Sequence, residues 1–382
     1  MRLALISDVH GNIAALEAVL ADARAAGARE YVFLGDYIFD MPFGEKVIRR
    51  LRSMRNAHFI SGNREGYFER LDEADEARAN SQQYGVVYQT WRELSADSKA
   101  FIRRLPKTLS LLLPSGRTLY AVHALNLSRA DKNRFTSAGA FQRAMLEAPF
   151  THAEYLKDYR TFLEGEAREA ISALPGDLIA FGHNHLQSYG QSCGKWLVNP
   201  GSVSQPLDFN PGASYTLVDD LPGGFAVTER RARYDRAAAV REAKRTECYR
   251  RGKCWMELVF REVQNGVDAL PPFFECARRM CAETGAPGDP IPDAIMERAL
   301  RESMKKYQRC LEIADRMCDN IGGKTKDVRD TRMNLRDIRT WRRKQNERND
   351  EGDCQAAGGA GTYADRRAHS SAGAGRGADQ GA

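Results

Sequence analysis

The opening stretch of the chain constrains its fold more than any other segment. An apolar run of strand length, Leu3 to Ile6, is followed by Asp8, His10, Gly11 and Asn12, and then by apolar residues at helical spacing. This order predicts a strand, a tight turn and a helix. In α/β sheets, ligands bind outside the carboxyl ends of the strands. We therefore expect Asp8 and His10 to face such a crevice.

The same arrangement recurs along the chain. Four more apolar runs end in residues of metal-binding type, which are Asp36, Asn63, His123 and the pair His183 and His185. Four of the seven histidines fall in this series, which scattered surface residues would not do. Any one of these residues alone is more often a helix cap or a loop residue. The prediction of a metal centre therefore depends on the whole series.

These motifs resemble those of the calcineurin-like metallophosphoesterases, in particular their small bacterial and archaeal phosphodiesterase branch. In the family's order, they are Asp8-Val9-His10-Gly11-Asn12, Gly35-Asp36, Gly62-Asn63-Arg64-Glu65, His123 and Gly182-His183-Asn184-His185. Asn199-Pro200-Gly201-Ser202 resembles the segment that follows the final ligands in this branch. The resemblance covers residues 1–234.

The resemblance implies an α/β fold in which two mixed β-sheets pack as a sandwich flanked by helices, with metals at one edge. The residues themselves indicate alternating strands and helices in residues 1–64, which is typical of parallel strands with crossover helices. They also indicate a hairpin over 110–123. We expect the short runs 196–198, 213–218 and 224–228 to belong to the second sheet.

The resemblance also implies two divalent ions and a ligand set for each. Asp8, His10 and His185 would hold one ion, Asn63, His123 and His183 would hold the other, and Asp36 would bridge them. Two such ions share a water whose pKa falls towards about 7, and the bridging hydroxide attacks phosphorus in line. Such ligands suit Mn, Fe, Zn or Ni and do not choose among them.

The function implied is metal-dependent hydrolysis of a small phosphoester, either a phosphodiester or a phosphomonoester. The residues implied in catalysis are Asp36, Asn63, Arg64 and His123. The alternative is an inactive scaffold of the same fold, as in the retromer subunit. All seven ligand positions hold competent residues, which favours an enzyme.

Arg64 departs from the family pattern, because many members place there a histidine that protonates the leaving group. Arginine stays charged and cannot donate a proton, but its planar fork can bind a phosphate oxygen. We hypothesise that charge stabilisation replaces acid catalysis and favours easily expelled leaving groups. The alternative is that Arg64 pairs with Glu65 or another neighbour. Ala124 and Leu207 also replace the glycine and arginine common in relatives.

Two further features have two interpretations each. Asn12 either caps the following helix through its side chain or helps to position phosphate. Residues 126–173 form an insertion between His123 and the next strand. The insertion is either a wall of the substrate site or an ordinary surface excursion.

The length of 382 residues and the 42% apolar content predict more than one unit. After the α/β unit of residues 1–234, the pattern becomes helical over 235–320. An apolar stripe on this extension would either cover the α/β unit or pair with a second copy in a homo-oligomer. Residues 321–345 read as a basic helical or linker segment, and 346–382 as a disordered tail.

Eight cysteines are present, and seven of them follow residue 240. Their spacings match neither a zinc ribbon nor a ferredoxin run, so we expect reduced thiols and not a metal or Fe–S role. The chain opens without a basic stretch, a long apolar run or a small-residue cleavage site, and it contains no apolar run of membrane-spanning length. We expect a cytoplasmic protein without a membrane segment.

The formal net charge of +6 comes almost entirely from residues beyond 234, in the stretches 241–253 and 324–348. Basic stretches of this kind can bind nucleic acid, which would make the protein a targeted nuclease. Acidic residues are interleaved throughout, which favours a solvated helix face. A nucleic-acid partner is therefore not expected.

Overall fold

In the computed structural model, which describes residues 1–71, 75–128 and 133–320, two five-stranded sheets pack face to face. The first sheet has the spatial order β10 (Gly224–Ala232), β9 (Ala213–Leu221), β1 (Arg2–Ile6), β2 (Glu30–Phe33) and β3 (Ala57–Phe59). The second has the order β4 (Thr108–Leu112), β5 (Thr118–Val122), β6 (Leu178–Ala180), β8 (Lys195–Pro200) and β7 (Gln187–Ser192).

Each sheet contains three neighbouring parallel strands. Strands β1, β2 and β3 run parallel, as do β5, β6 and β8, while β4, β7, β9 and β10 pair antiparallel with their neighbours. Helices α1 (Ile13–Ala25) and α2 (Gly44–Arg52) connect the first three strands, which confirms the predicted crossover pattern. The carboxyl ends of the parallel strands in each sheet therefore lie together.

The apolar core lies between the two sheets. Because successive side chains of a strand point to opposite faces, Leu3 and Leu5 of β1 enter this core, where Leu119 and Ala180 come from the second sheet. Ile6, on the other face of β1, packs among the residues of α1 and α2. The predicted mixed sandwich flanked by helices is confirmed.

The expected sheet membership of the last strands is wrong in part. Strand β8 lies in the second sheet, but β9 and β10 lie in the first, where β9 pairs with β1. The chain crosses between the sheets directly after β8, where the N–H of Val203 donates to the carbonyl oxygen of Ser7. Strand β7 went unpredicted because its polar sequence lacks the β-branched residues that favour strands.

The remaining helices of the α/β unit fall in two groups. After β3 come a 3₁₀ segment (Glu65–Arg70), α3 (Glu76–Ala79), α4 (Gly85–Glu93) and α5 (Ala96–Arg103). The insertion before β6 holds α6 (Ala138–Glu147), α7 (His152–Glu164) and α8 (Arg168–Ser172). Phe162 of α7 and Ile171 of α8 pack against the outer face of the second sheet.

The segment after Tyr234 is helical, as predicted. It contains α9 (Arg236–Ala243), α10 (Glu247–Arg251), α11 (Lys253–Asn265), α12 (Leu270–Thr284) and α13 (Asp293–Asn320). We call α9 to α13 the helical extension. The predicted boundary near 234 stays a prediction, and the predicted segments 321–345 and 346–382 lie outside the described residues.

The helical extension shares two apolar cores with the α/β unit. In one, Met41 and Val86 lie among residues of α9, α10 and α11, including Phe260. In the other, Leu186 and Phe209 lie among residues of α11, α12 and α13. The apolar stripe of α13 contributes to this second core, so it packs within the chain.

The described thiols with placed side chains are all free, and they are Cys193, Cys248, Cys254, Cys276 and Cys281. Burial raises the pKa of Cys248 and of Cys254 to about 12, so both stay protonated and unreactive at neutral pH. Among the described helices, none combines the length and apolar character needed to cross a membrane.

We expect Phe260→Ala to lower the free energy of unfolding by about 3–5 kcal/mol, because the ring is buried in a core that joins the extension to the α/β unit. Scanning calorimetry should give one transition that moves as a whole. Lys305→Ala, at an exposed position of α13, is the matched control and should change stability by less than about 0.5 kcal/mol. A separate early transition that alone responds to Phe260→Ala would contradict the shared core.

Candidate metal centre

The seven candidate ligands lie in loops that follow five strands. Asp8 and His10 follow β1, Asp36 follows β2, Asn63 follows β3, His123 follows β5, and His183 and His185 follow β6. The site therefore spans both sheets. The structure brings all seven residues together in two neighbouring groups, while their role as ligands stays a prediction.

The first group contains Asp8, His10 and His185. The Nε2 atoms of the two imidazoles lie 3.2 Å apart. Asp8 Oδ1 lies 3.3 Å from Nε2 of His185 and 3.7 Å from Nε2 of His10. Ligand atoms about 2.1 Å from one ion at tetrahedral or octahedral angles lie roughly 3.0–3.4 Å apart. The spacing of this group is close to that range.

The second group contains Asn63, His123 and His183. The amide Oδ1 of Asn63 lies 2.9 Å from Nε2 of His123 and 2.9 Å from Nδ1 of His183. Asp36 lies between the groups, because its Oδ2 is 3.4 Å from Nε2 of His123 and 3.9 Å from Nε2 of His10. This is the position expected of a bridging carboxylate.

The tautomers of two imidazoles suit metal binding. Nδ1 of His123 contacts the carbonyl oxygen of Leu34 at 2.7 Å, and Nδ1 of His185 contacts that of Gln205 at 2.8 Å. A carbonyl oxygen can only accept, so each Nδ1 carries a proton, and each Nε2 would offer its lone pair to a bound cation. Within the described part of the chain, buried Asp8 Oδ1 has no hydrogen-bond partner. Cations would satisfy these groups, so the residues fit a metal centre.

Charge explains the shifted pKa values of this cluster. Burial acts to raise the pKa of Asp8, but the His185 and His10 imidazoles outweigh it and hold that pKa well below its usual range. Burial acts to lower the pKa of His10, but Asp40, Asp8 and Asp36 raise it to about 10. The pKa of His123 likewise rises to about 9 beside Asp36. The clustered carboxylates thus demand positive charge, which divalent cations can supply.

The local backbone is strained where the candidate ligands stand. Five of them have a positive φ, namely Asp8 (56°), His10 (46°), Asp36 (55°), His183 (74°) and His185 (62°). Residues with side chains seldom adopt this conformation, and such outliers concentrate at functional sites. The strain turns each side chain from its strand toward the shared crevice.

The carboxylate of Glu65 ties two of these loops together. It is 3% exposed and accepts the backbone N–H groups of Asp36, Tyr37 and Gly62 at 2.8–2.9 Å. Gly62 is needed here because a Cβ at its position would lie 2.1 Å from Asp36 Oδ1. Glu65 therefore fixes Asp36 and the Asn63 loop relative to each other.

Asp40, which the sequence analysis did not single out, is the hub of a buried network. Its Oδ2 lies 3.0 Å from Nδ1 of His10 and 3.1 Å from Nη2 of Arg64, and its Oδ1 accepts the indole N–H of Trp255 at 2.9 Å. Arg64 thus pairs with a neighbour, as the alternative interpretation expected, and that neighbour is Asp40 and not Glu65. Its guanidinium also lies over the ring of Tyr67, 5.5 Å from the centroid.

Trp255 belongs to α11, and a second residue of this helix, Glu262, contacts the loop beside His185. Glu262, which is 1% exposed, accepts the side-chain N–H of Gln205 at 2.7 Å, and the backbone carbonyl oxygen of Gln205 accepts from Nδ1 of His185. Burial and the neighbouring Asp268 raise the pKa of Glu262 well above its usual value. The one sequence signal of this role is an acid inside the apolar face of an amphipathic helix.

The structure distinguishes between the interpretations of Asn12. Its side chain accepts the N–H of Ala15 and caps α1, while its amide group donates to Ser204 and Tyr234. Asn12 is therefore a cap that also joins the loops behind the site. The insertion touches the site through Phe135, whose carbonyl oxygen accepts the side-chain N–H of Asn184.

The family model of the calcineurin-like phosphoesterase superfamily domain matches residues 1–220. An uncharacterized protein of Methanocaldococcus jannaschii is 23% identical over 250 residues, which cover 61% of this chain and 88% of that protein.

Two solved structures are similar to this chain. A metallophosphoesterase from Sphaerobacter thermophilus is 23% identical with a TM-score of 0.48, and the match covers 70% of this chain and 100% of that one. A hypothetical protein from Pyrococcus horikoshii is 16% identical with a TM-score of 0.47, over 68% of this chain and 97% of that one.

We expect Glu65→Ala to lower the free energy of unfolding by about 3–5 kcal/mol, because three buried N–H groups lose their acceptor. Glu65→Gln keeps one acceptor oxygen and should lose less. Thermal unfolding with chelator present measures both variants without any contribution from bound metal. Equal stability of Glu65→Ala and the exposed control Glu242→Ala would show that Glu65 does not hold the loops.

Proposed function

The chain belongs to the calcineurin-like phosphoesterase superfamily, and on this premise we propose that it is a dinuclear-metal hydrolase of phosphodiesters. The observation that carries the proposal is the convergence of seven candidate ligands from both sheets, with Asp36 between two groups. Two divalent ions would supply Lewis acidity towards a phosphoryl group and acidify a water. Their identity, among Mn, Ni, Fe and Zn, is not set by these ligand types.

The positions of the residues support the proposed ligand roles. Asp8, His10 and His185 would hold one ion, Asn63, His123 and His183 would hold the other, and Asp36 would touch both. Asp36 Oδ1 accepts the N–H of Arg64 at 2.8 Å, which leaves Oδ2 turned toward the imidazoles. Backbone contacts and Glu65 keep this arrangement rigid, so little reorganisation accompanies substrate binding.

Arg64 is proposed to bind a non-bridging phosphate oxygen. Asp40 anchors one Nη2 atom, and the guanidinium has five N–H donors in one plane. The side chain is 20% exposed, so part of it reaches the solvent side of the site. A fixed positive charge there would stabilise the negative charge that develops in the transition state without donating a proton.

The proposed substrate is a small phosphoester in a reducing compartment, for which the cytoplasm is the proposed location. Free thiols at each described cysteine with a placed side chain support this location. No nucleic-acid or membrane partner is proposed. The pairing of a second copy through the helical extension gains no support from α13, whose stripe packs within the chain.

We expect the wild type to hydrolyse a chromogenic bis-aryl phosphodiester when Mn²⁺ or Ni²⁺ is added, with an aryl phosphomonoester assayed in parallel. Asp36→Ala should lose more than about 100-fold in rate and bind less metal, because it removes the carboxylate between the two groups. Asp97→Ala, an exposed acid of α5, is the matched control and should retain activity. A wild type that binds two ions but cleaves neither ester would support the scaffold alternative instead.

The role of Arg64 predicts a steep dependence of rate on the leaving group. Across a series of aryl phosphodiesters, the wild-type rate should fall strongly as the leaving-group pKa rises, because no acid assists departure. Arg64→His should flatten this dependence, while Arg64→Lys keeps a charge that cannot donate and should retain the steep slope. A wild-type rate that barely varies along the series would refute the role.

A further inference from the structure

Two polar side chains of α11, Trp255 and Glu262, contact residues that adjoin the candidate metal centre. Trp255 donates its indole N–H to Asp40 Oδ1 at 2.9 Å, and Glu262 accepts from the Gln205 side chain at 2.7 Å. The two positions are seven residues apart, which places them two turns apart on one face of the helix. Both contacts are long-range, because the residue numbers of the partners differ by 215 and by 57.

Each contact leads to one imidazole. Asp40 Oδ2 lies 3.0 Å from Nδ1 of His10, and the backbone carbonyl oxygen of Gln205 lies 2.8 Å from Nδ1 of His185. These are the two imidazoles whose Nε2 atoms lie 3.2 Å apart beside Asp8. One helix of the extension thus supports both histidines of the first group.

The second group is oriented from within the α/β unit. Nδ1 of His123 is held by the carbonyl oxygen of Leu34, at the end of β2. His183 contacts Asn63, and its backbone N–H donates to Asp8 Oδ2 at 3.1 Å. The support of the two groups therefore comes from different parts of the chain.

We propose that Trp255 and Glu262 are positioning residues through which the helical extension sets the affinity of the Asp8, His10 and His185 group for a divalent ion. The proposal rests on the proposed two-ion centre. Residues that hold the distal nitrogen of a ligand histidine fix its tautomer and ring orientation, and their loss costs about 10–100-fold in metal affinity. The second group should be unaffected.

The test is calorimetric titration of metal-free full-length protein with Mn²⁺. The wild type should show two classes of site. Trp255→Phe, which removes the N–H but keeps a ring against Phe274, should weaken one class by about 10–100-fold and leave the other unchanged. Glu262→Met, of similar size without the acceptor, should weaken the same class.

Tyr249→Phe is the matched control, because it removes a hydrogen bond of the same extension, from the Tyr249 hydroxyl to Glu257, that leads away from the site. Circular dichroism and thermal unfolding establish whether each variant is folded. If Glu262→Met is unfolded, the titration of Trp255→Phe alone tests the proposal. Wild-type affinities in Trp255→Phe, or an equal loss in both classes, would overturn the proposal.

Double variants assign the affected class. With His123→Ala, the remaining class is the first group, so adding Trp255→Phe should weaken it further. With His185→Ala, the remaining class is the second group, so adding Trp255→Phe should change nothing. Fewer than two Mn²⁺ per wild-type chain would instead refute the proposed two-ion centre itself, and the positioning role with it.

Discussion

Three buried carboxylates lie within one cluster, and the other groups of the site offset the electrostatic repulsion among them. Asp8, Asp36 and Asp40 are each at most 2% exposed. Burying like charges is costly unless cations or hydrogen-bond donors accompany them. Histidines, Arg64, backbone N–H groups and the Trp255 indole all supply positive charge or donors here. In the first of the two groups that would bind ions, the supply is incomplete, because Asp8 Oδ1 has no hydrogen-bond partner among the described residues.

Much of this arrangement could be predicted from the sequence because its signals are local. A strand followed within a few residues by Asp8 or His183 can be recognised in a short stretch of sequence. Parallel strands then bring their carboxyl ends to one edge of the sheet. The expectation that ligands bind at the carboxyl ends of strands therefore identified residues that the structure gathers into one site. The same reasoning could not decide the sheet to which β9 and β10 belong, because short apolar runs do not encode their neighbours.

The supporting residues escaped prediction for a different reason. Asp40 looks like an ordinary loop acid, and Trp255 looks like a core anchor of an appended helix. Their roles depend on contacts between segments far apart in the chain, and the residue numbers of these two differ by 215. Glu65 was visible as part of a motif, but its three backbone partners were not. The orientation of a ligand is thus less readable from a sequence than its identity.

The division of the site between two sheets has a consequence for how the protein can vary. Asp8, Asp36 and Asn63 follow strands of the first sheet, and His123 and the His183 loop follow strands of the second, so the apolar layer that separates the sheets helps to set the distance between these residues. Leu5 and Ala180, which lie in this layer, therefore contribute to the spacing between the two halves of the candidate site. A change in side-chain volume at these positions would therefore shift the two halves of the candidate site, and a shift of about 1 Å at a reacting centre can cost about 10²-fold in rate.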